Sequence, residues 1–189
     1  MARIYLIRHG RPAAAWGEAS ADPGLDALGA QQSQVARDWL LSRPPAERPQ
    51  AVVSSPLQRC QETARPTAVA LGVPILTEAR VGEIPTPAHL SDAERPQWLR
   101  NAFAGDWAQI RGDLDYEVWR REVAGALVAR GGAAVFSHFV AINAVVSLLL
   151  GEARVLSFRP DHASITVLET DGARLTLVAK GAEATTQVL

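Results

Sequence analysis

Ile4-Tyr5-Leu6-Ile7-Arg8-His9-Gly10 opens the chain with an apolar run that breaks off into two basic side chains and a glycine. An apolar stretch this short, bounded this abruptly, fits a strand buried on both faces of a sheet. In an open α/β sheet ligands lie outside the carboxyl ends of the strands, so the residues that end such a strand face the ligand. Here those residues are Arg8 and His9. Arginine holds a phosphoryl or carboxylate group through its planar fork, histidine serves as base, ligand or nucleophile, and glycine lets the backbone approach what is bound. By itself the tripeptide also fits a polar turn after an edge strand, so its reading depends on the rest of the chain.

Two further strand ends point the same way. Ala51-Val52-Val53-Ser54 reads as a strand, and Ser55-Pro56-Leu57-Gln58 follows it with a capping serine, a proline at the first helical position and a glutamine where a capping box wants one. Arg59 then lies about one turn into a helix, and its side chain leans back toward the strand it follows. Pro66 is expected to kink this helix, and Gly72 with Pro74 to end it. Ala133-Ala134-Val135-Phe136 reads as another buried strand, ending at Ser137-His138. An apolar helix from Phe139 or Val140 to Leu150 follows at once, with Gly151 as its stop, so the free N–H groups of its first turn also face the cleft. Arg8, His9, Arg59 and His138 therefore come from three strand ends that a parallel sheet brings together.

The remaining segments fill out an α/β domain. Asp26 caps a helix running to about Arg43, where Pro44-Pro45 stops it, and a helix from Asp115 carries Val118, Trp119, Val123, Ala126 and Leu127 on one face up to Gly131-Gly132. Val155 to Phe158, Ser164 to Glu169 and Arg174 to Ala179 alternate as strands, the last two joined across Asp171-Gly172 as a hairpin. Strand–helix units followed by a hairpin predict a mostly parallel mixed sheet in one domain, residues 1–189. Two stretches lack periodicity: a loop from Pro12 to Gly24 with Trp16, Glu18 and Asp22, and residues 85–115, read as short helices forming a lid or side wall around Trp98, Phe103 and Trp107. Pro85 and Pro87 forbid a helix after Glu83, which places its carboxyl on a loop able to enter the cleft.

Composition narrows the chemistry. The formal charge of −1 over 189 residues offers no basic field for nucleic acid, so any anion site is local. The single cysteine, Cys60, excludes an internal disulfide and fits a reducing compartment. Met1-Ala2-Arg3 leads straight into a strand with no signal peptide, and the apolar run from Phe139 to Leu150 is too short to span a bilayer, so a soluble cytoplasmic protein is expected. Cys60 and Arg65 have four residues between them where a cysteine phosphatase needs five. His9, His89, His138 and His162 include no close-spaced ligand pair, and Ser54 and Ser55 lack a nucleophile elbow.

Three cationic donors around an imidazole suit a phosphomonoester or phosphate ion, each charge-assisted hydrogen bond adding about 1.5–3 kcal/mol. Neighbouring cations keep His9 neutral, the form that attacks phosphorus. Glu83 is the candidate acid for the leaving alkoxide, with Asp22, Glu18 and Asp161 next in line.

These residues resemble the histidine phosphatase superfamily, which includes the phosphoglycerate mutases. The resemblance rests on Leu6-Ile7-Arg8-His9-Gly10, on Asp22-Pro23 through Leu28-Gly29 and Gln32, on Ser54-Ser55-Pro56-Leu57-Gln58-Arg59-Cys60-Gln61-Glu62-Thr63-Ala64, on Glu83 and on Ser137-His138. It implies a three-layer α/β/α sandwich, transient phosphorylation of His9, a phosphate pocket of Arg8, Arg59 and His138, Glu83 as proton donor and then base, and no metal. Where the family often has an acidic or amide residue this chain has Arg11, a further positive charge at the rim. Phe139 replaces the usual glycine after the second histidine and narrows the approach, and the Gly-x-Trp-Glu-Gly-like continuation is missing after Glu83. The length favours a hydrolase. The alternatives are a phosphoglycerate mutase-like phosphotransferase and a non-catalytic pocket for phosphorylated ligands.

Overall fold

Alternation along three central strands sets the layering of the structure, a computed structural model that describes residues 1–14 and 22–184. Trp16 and Glu18 lie outside the described residues. In β1 (Ala2–Arg8), Ile4 and Leu6 pack on one face of the sheet, Tyr5 and Ile7 on the other. In β2 (Ala51–Ser54), Val53 and Val52 divide in the same way. Helices α1 (Ala27–Leu41) and α2 (Gln58–Leu71) cover the face of Tyr5 and Val52 with Leu40, Cys60 and Ala64. After the short strand β3 (Ile75–Thr77), α3 (Arg95–Ala104) and α4 (Tyr116–Val128) lie on the opposite face. They are joined there by α5 (Phe139–Leu150), which follows β4 (Ala133–Ser137). β5 (Ile165–Thr170) and β6 (Leu175–Ala179) complete a sheet of order β3-β2-β4-β1-β5-β6. The first four strands are parallel, β5 runs antiparallel to β1, and β6 antiparallel to β5. The result is a three-layer α/β/α sandwich with a mixed sheet.

Register aligns the strand ends. Arg8 pairs with Ser137, and Ser54 with Phe136. The residues that follow these strands, His9, His138 and Ser55, therefore emerge at one level along the edge.

Most helix ends follow from the sequence. The Asp26 carboxylate accepts from the Gly29 N–H, Asp115 accepts from Glu117 and Val118, and Gly72 and Gly151 close α2 and α5 at φ 67° and 68°. Pro66 lies inside α2, which continues to Leu71. The start of α2 differs from the expectation. Ser55 and Pro56 precede the helix, and its first N–H, that of Gln58, donates to the Asp22 carboxylate at 2.9 Å. Ser55 Oγ accepts from the Leu57 N–H at 3.3 Å, so the serine and the distant Asp22 share the start of α2, and Gln58 turns its amide to Glu62.

Val155–Phe158 is not a strand. The Asn143 carboxamide, buried in α5, accepts from the backbone N–H groups of Ser157 (2.9 Å) and Phe158 (3.2 Å), taking the donors that a ladder would need. Asn143→Ala leaves two donors without an acceptor, and a loss of about 2 kcal/mol or more is expected in the denaturant midpoint at unchanged m-value. Residues 85–115 pack on the core: Leu99 and Trp107 are fully buried, and the Trp107 indole donates to Ser147 Oγ at 2.9 Å. Among the described residues no helix is long and apolar enough to cross a membrane.

Candidate active site

One short contact decides the chemistry available to His9. Its Nδ1 lies 2.8 Å from the Gly10 carbonyl oxygen. A carbonyl only accepts, so Nδ1 carries the proton and Nε2 keeps its lone pair. The ring is 2% exposed. Burial holds its pKa well below the usual imidazole value, with His138, Arg8 and Arg59 adding to the effect. The cations invoked from sequence are present, but desolvation is the larger cause. The loop behind the ring is tightly held. The Gly10 N–H donates to Thr63 Oγ1 (2.9 Å), Thr63 Oγ1 donates to the Arg59 carbonyl (2.6 Å), and a Cβ at Gly10 would lie 2.6 Å from the Gly29 oxygen.

Two buried guanidinium groups flank this imidazole. Arg8 donates from Nη1 to the Pro160 carbonyl and from Nη2 to His162 Nε2, both at 2.9 Å, and lies over the Phe139 ring at 5.1 Å. Burial lowers its pKa to about 10 against the opposing pull of Glu83, so it stays cationic at neutral pH. Arg59, the second residue of α2, donates from Nη2 to His138 Nδ1 at 3.2 Å and has Nη1 3.6 Å from Asp22. An arginine only donates, so His138 accepts at Nδ1, carries its proton on Nε2 and donates to Ser55 Oγ at 2.8 Å. Burial first, then Arg59, Arg95 and Arg8, holds this second histidine neutral as well.

Glu83 closes the constellation. Its side chain is 5% exposed, with Oε2 3.7 Å from both Arg59 Nη2 and His138 Nδ1. Oε1 accepts from the Ile84 N–H, and Ser137 Oγ donates to the Val81 carbonyl, tying this loop to the end of β4. Arg8 Nε, Arg59 Nε and Glu83 Oε2 are all buried without a hydrogen-bond partner among the described residues. Two cationic donors and one carboxylate oxygen with unused capacity, beside a neutral imidazole, can receive an anion and a proton together.

The structure thus brings together Arg8, His9, Arg59, Glu83 and His138. The His9 and His138 ring centroids are 5.3 Å apart. The two expected rim residues have partners of their own. The half-exposed Arg11 guanidinium pairs with the carboxylate of Asp26, the cap of α1. Phe139 is buried between the Arg8 guanidinium and the Phe103 ring, and so supports Arg8 from beneath where a narrowed entrance is expected. Cys60 packs against the Ser137 carbonyl and the His138 ring, with burial pushing its thiol pKa up. Sequence reasoning gave no role to Thr63, to Arg95 or to His162 beside Arg8. Thr63 stands one helical turn after Arg59, a spacing that could have marked it, whereas Arg95 and His162 meet the site only through the tertiary fold. Among the described residues no group of three or more His, Cys, Asp and Glu side chains could hold a metal ion.

Buried neutral histidines make stability depend on pH. Below the ordinary imidazole value the unfolded chain takes up protons that folded His9 and His138 refuse. Stability therefore falls as pH drops from about 6.5, by up to about 1.4 kcal/mol per pH unit for each ring. Urea midpoints between pH 7.5 and 5 are expected to decline with this slope, and replacing His138 by an apolar residue to flatten it.

A six-stranded mixed sheet between two helical layers, with Arg8, His9 and His138 at the carboxyl ends of its parallel strands, defines the class of this protein as a three-layer α/β/α fold. The model of the histidine phosphatase superfamily (branch 1) matches residues 4–182, and the chain belongs to that family of phosphatases. No curated protein matches it by sequence. Solved structures share its fold. "Mycobacterial hydrolase 1" is 23% identical at a TM-score of 0.74, with 97% of this chain and 100% of that chain covered. The mycobacterial glucosyl-3-phosphoglycerate phosphatase is 23% identical at 0.72, with 96% and 99% covered. The phosphoserine phosphatase from Entamoeba histolytica, solved with 3-phosphoglyceric acid, is 18% identical at 0.75, with 96% and 98% covered.

Proposed function

We propose that this protein hydrolyses small phosphomonoesters through a phosphohistidine on His9, without a metal. The observation that carries the reading is the His9 tautomer. With Nδ1–H donated to the Gly10 carbonyl, the Nε2 lone pair is left for a phosphoryl group whose oxygens Arg8 and Arg59 would hold. Nε2 attacks phosphorus, a P–N bond forms and the P–O bond to the alcohol breaks. Protonated Glu83 gives its proton to the leaving oxygen. Glu83, now a carboxylate, takes a proton from water, whose oxygen attacks phosphorus. The P–N bond breaks, and inorganic phosphate leaves with His9 neutral again. His138, donating from Nε2, adds a neutral hydrogen bond to the bound oxygens once it turns from Ser55.

The fold neighbours support the substrate class, since one is a phosphoserine phosphatase and another was solved with inorganic phosphate. The reading is tested by quenching turnover of a phosphomonoester in alkaline denaturant, in which a phosphohistidine survives. An acid-labile phosphoryl group is expected on His9 and on no other residue, and chelators are expected to leave the rate unchanged. Labelled phosphate appearing on an alcohol in place of water would identify a mutase. Phosphate binding with no turnover would identify a binding protein.

A further inference from the structure

His162 stands against the cleft without any part in the reaction just described. We propose that His162 is a positioning residue for Arg8, accepting the hydrogen bond that keeps the guanidinium aimed at the phosphoryl oxygens of the substrate. The inference rests on the phosphatase reading above, and adds to it a residue from the loop ahead of β5, the antiparallel neighbour of β1.

Arg8 leaves β1 with three nitrogens to place. Nη1 and Nη2 each give one N–H to the loop before β5, at the Pro160 carbonyl and at His162 Nε2, and each keeps a second, while Nε has no partner among the described residues. A planar guanidinium held at two points cannot turn, so its three remaining N–H groups are fixed in direction. The His162 anchor works only while the ring is neutral with Nε2 bare. Asp161 lies 4.0 Å from Nδ1, on the side where the ring proton then sits. Burial and Arg8 together push the His162 pKa down to about 4, Asp161 opposing, which keeps the acceptor in place at neutral pH.

The backbone around His162 points the same way. Ala163 has φ 56°, the single non-glycine residue with positive φ among the described residues. An alanine in this region is unfavourable and persists where the surroundings impose it. Here they do: the Ala163 N–H donates to the His9 carbonyl (3.2 Å), the Ser164 N–H to Asp161 (3.1 Å), and the Arg8 N–H to the Ser164 carbonyl (3.2 Å). The strained turn thus clips the loop to the backbone of Arg8 and His9 themselves. It sets the His162 ring 5.8 Å from the His9 ring and within reach of Arg8.

The experiment is inorganic phosphate binding by calorimetry, with kcat/KM on an aryl phosphate alongside, on wild type, His162→Ala, His162→Gln, Arg8→Met and the double variant Arg8→Met/His162→Ala. His162→Ala is expected to weaken phosphate binding and lower kcat/KM by about tenfold, the worth of one charge-assisted hydrogen bond. His162→Gln, which returns an acceptor near Nε2, is expected to recover to within about threefold of wild type. In the Arg8→Met background His162→Ala is expected to cost nothing further, because its effect runs through Arg8. A merely structural residue would lose equally in both backgrounds and would not be rescued by glutamine. Wild-type phosphate affinity in His162→Ala, or full additivity with Arg8→Met, overturns the proposal. Should Arg8→Met fail to fold, the glutamine rescue decides alone. Phosphate binding that responds to His162 in a protein that turns over no ester would sink the phosphatase reading and leave this inference standing.

Discussion

His9→Ala is expected to lower kcat/KM on every phosphomonoester by about 10⁴-fold or more, since it removes the atom to which the phosphoryl group is transferred. The loss should be confined to chemistry. Arg8 and Arg59 are anchored by partners other than His9, namely Pro160, His162, Asp22 and His138. The variant should therefore bind inorganic phosphate within about tenfold of wild type while turning over almost nothing. A steady-state assay with an aryl phosphate, run beside a phosphate titration, measures both. If the variant keeps a tenth or more of the wild-type rate, phosphorus is being attacked by something else, and the phosphohistidine route is wrong.

Glu83→Gln carries the second large effect, and here the size should depend on the substrate. An alkoxide is a poor leaving group and needs its proton in the transition state, so loss of the acid is expected to cost about 10²–10⁴-fold on alkyl phosphates. An activated aryl phosphate leaves as a stable phenolate and should lose about tenfold or less. The substitution keeps the size of the side chain, its contact with the Ile84 N–H and its place beside Arg59 and His138, so the fold should be unaffected. Equal losses on the two substrate types would assign the proton to another group. Asp22 is then the next candidate, though its carboxylate already serves the first N–H of α2 and stands 3.6 Å from Arg59.

Periodicity and punctuation made most of the sandwich readable in advance. Apolar runs of three or four residues marked β1, β2 and β4, aspartates marked the starts of α1 and α4, and glycines marked the ends of α2 and α5. These signals are local, because a cap or a left-handed stop is settled within a turn of chain. The departures came where a distant group outbid a local one. Asp22 took the first N–H of α2 and left Ser55 only the Leu57 N–H, and the Asn143 carboxamide took the donors that would have made Val155–Phe158 a strand. Arg11, expected at the rim, pairs with Asp26.

By itself, then, the chain determined an α/β sandwich and the four residues Arg8, His9, Arg59 and His138 at its strand ends, since parallel pairing must collect whatever follows each buried run. Only the tertiary structure decided what those residues are. The Gly10 carbonyl chose the His9 tautomer, burial more than charge kept both rings neutral, and Phe139 became the floor under Arg8. The same is true of His162, which reaches Arg8 across 154 residues of chain. Which atom carries a proton, and which side chain a guanidinium leans on, depends on contacts a few ångströms long between segments far apart in sequence, and those distances exist only once the sheet has closed.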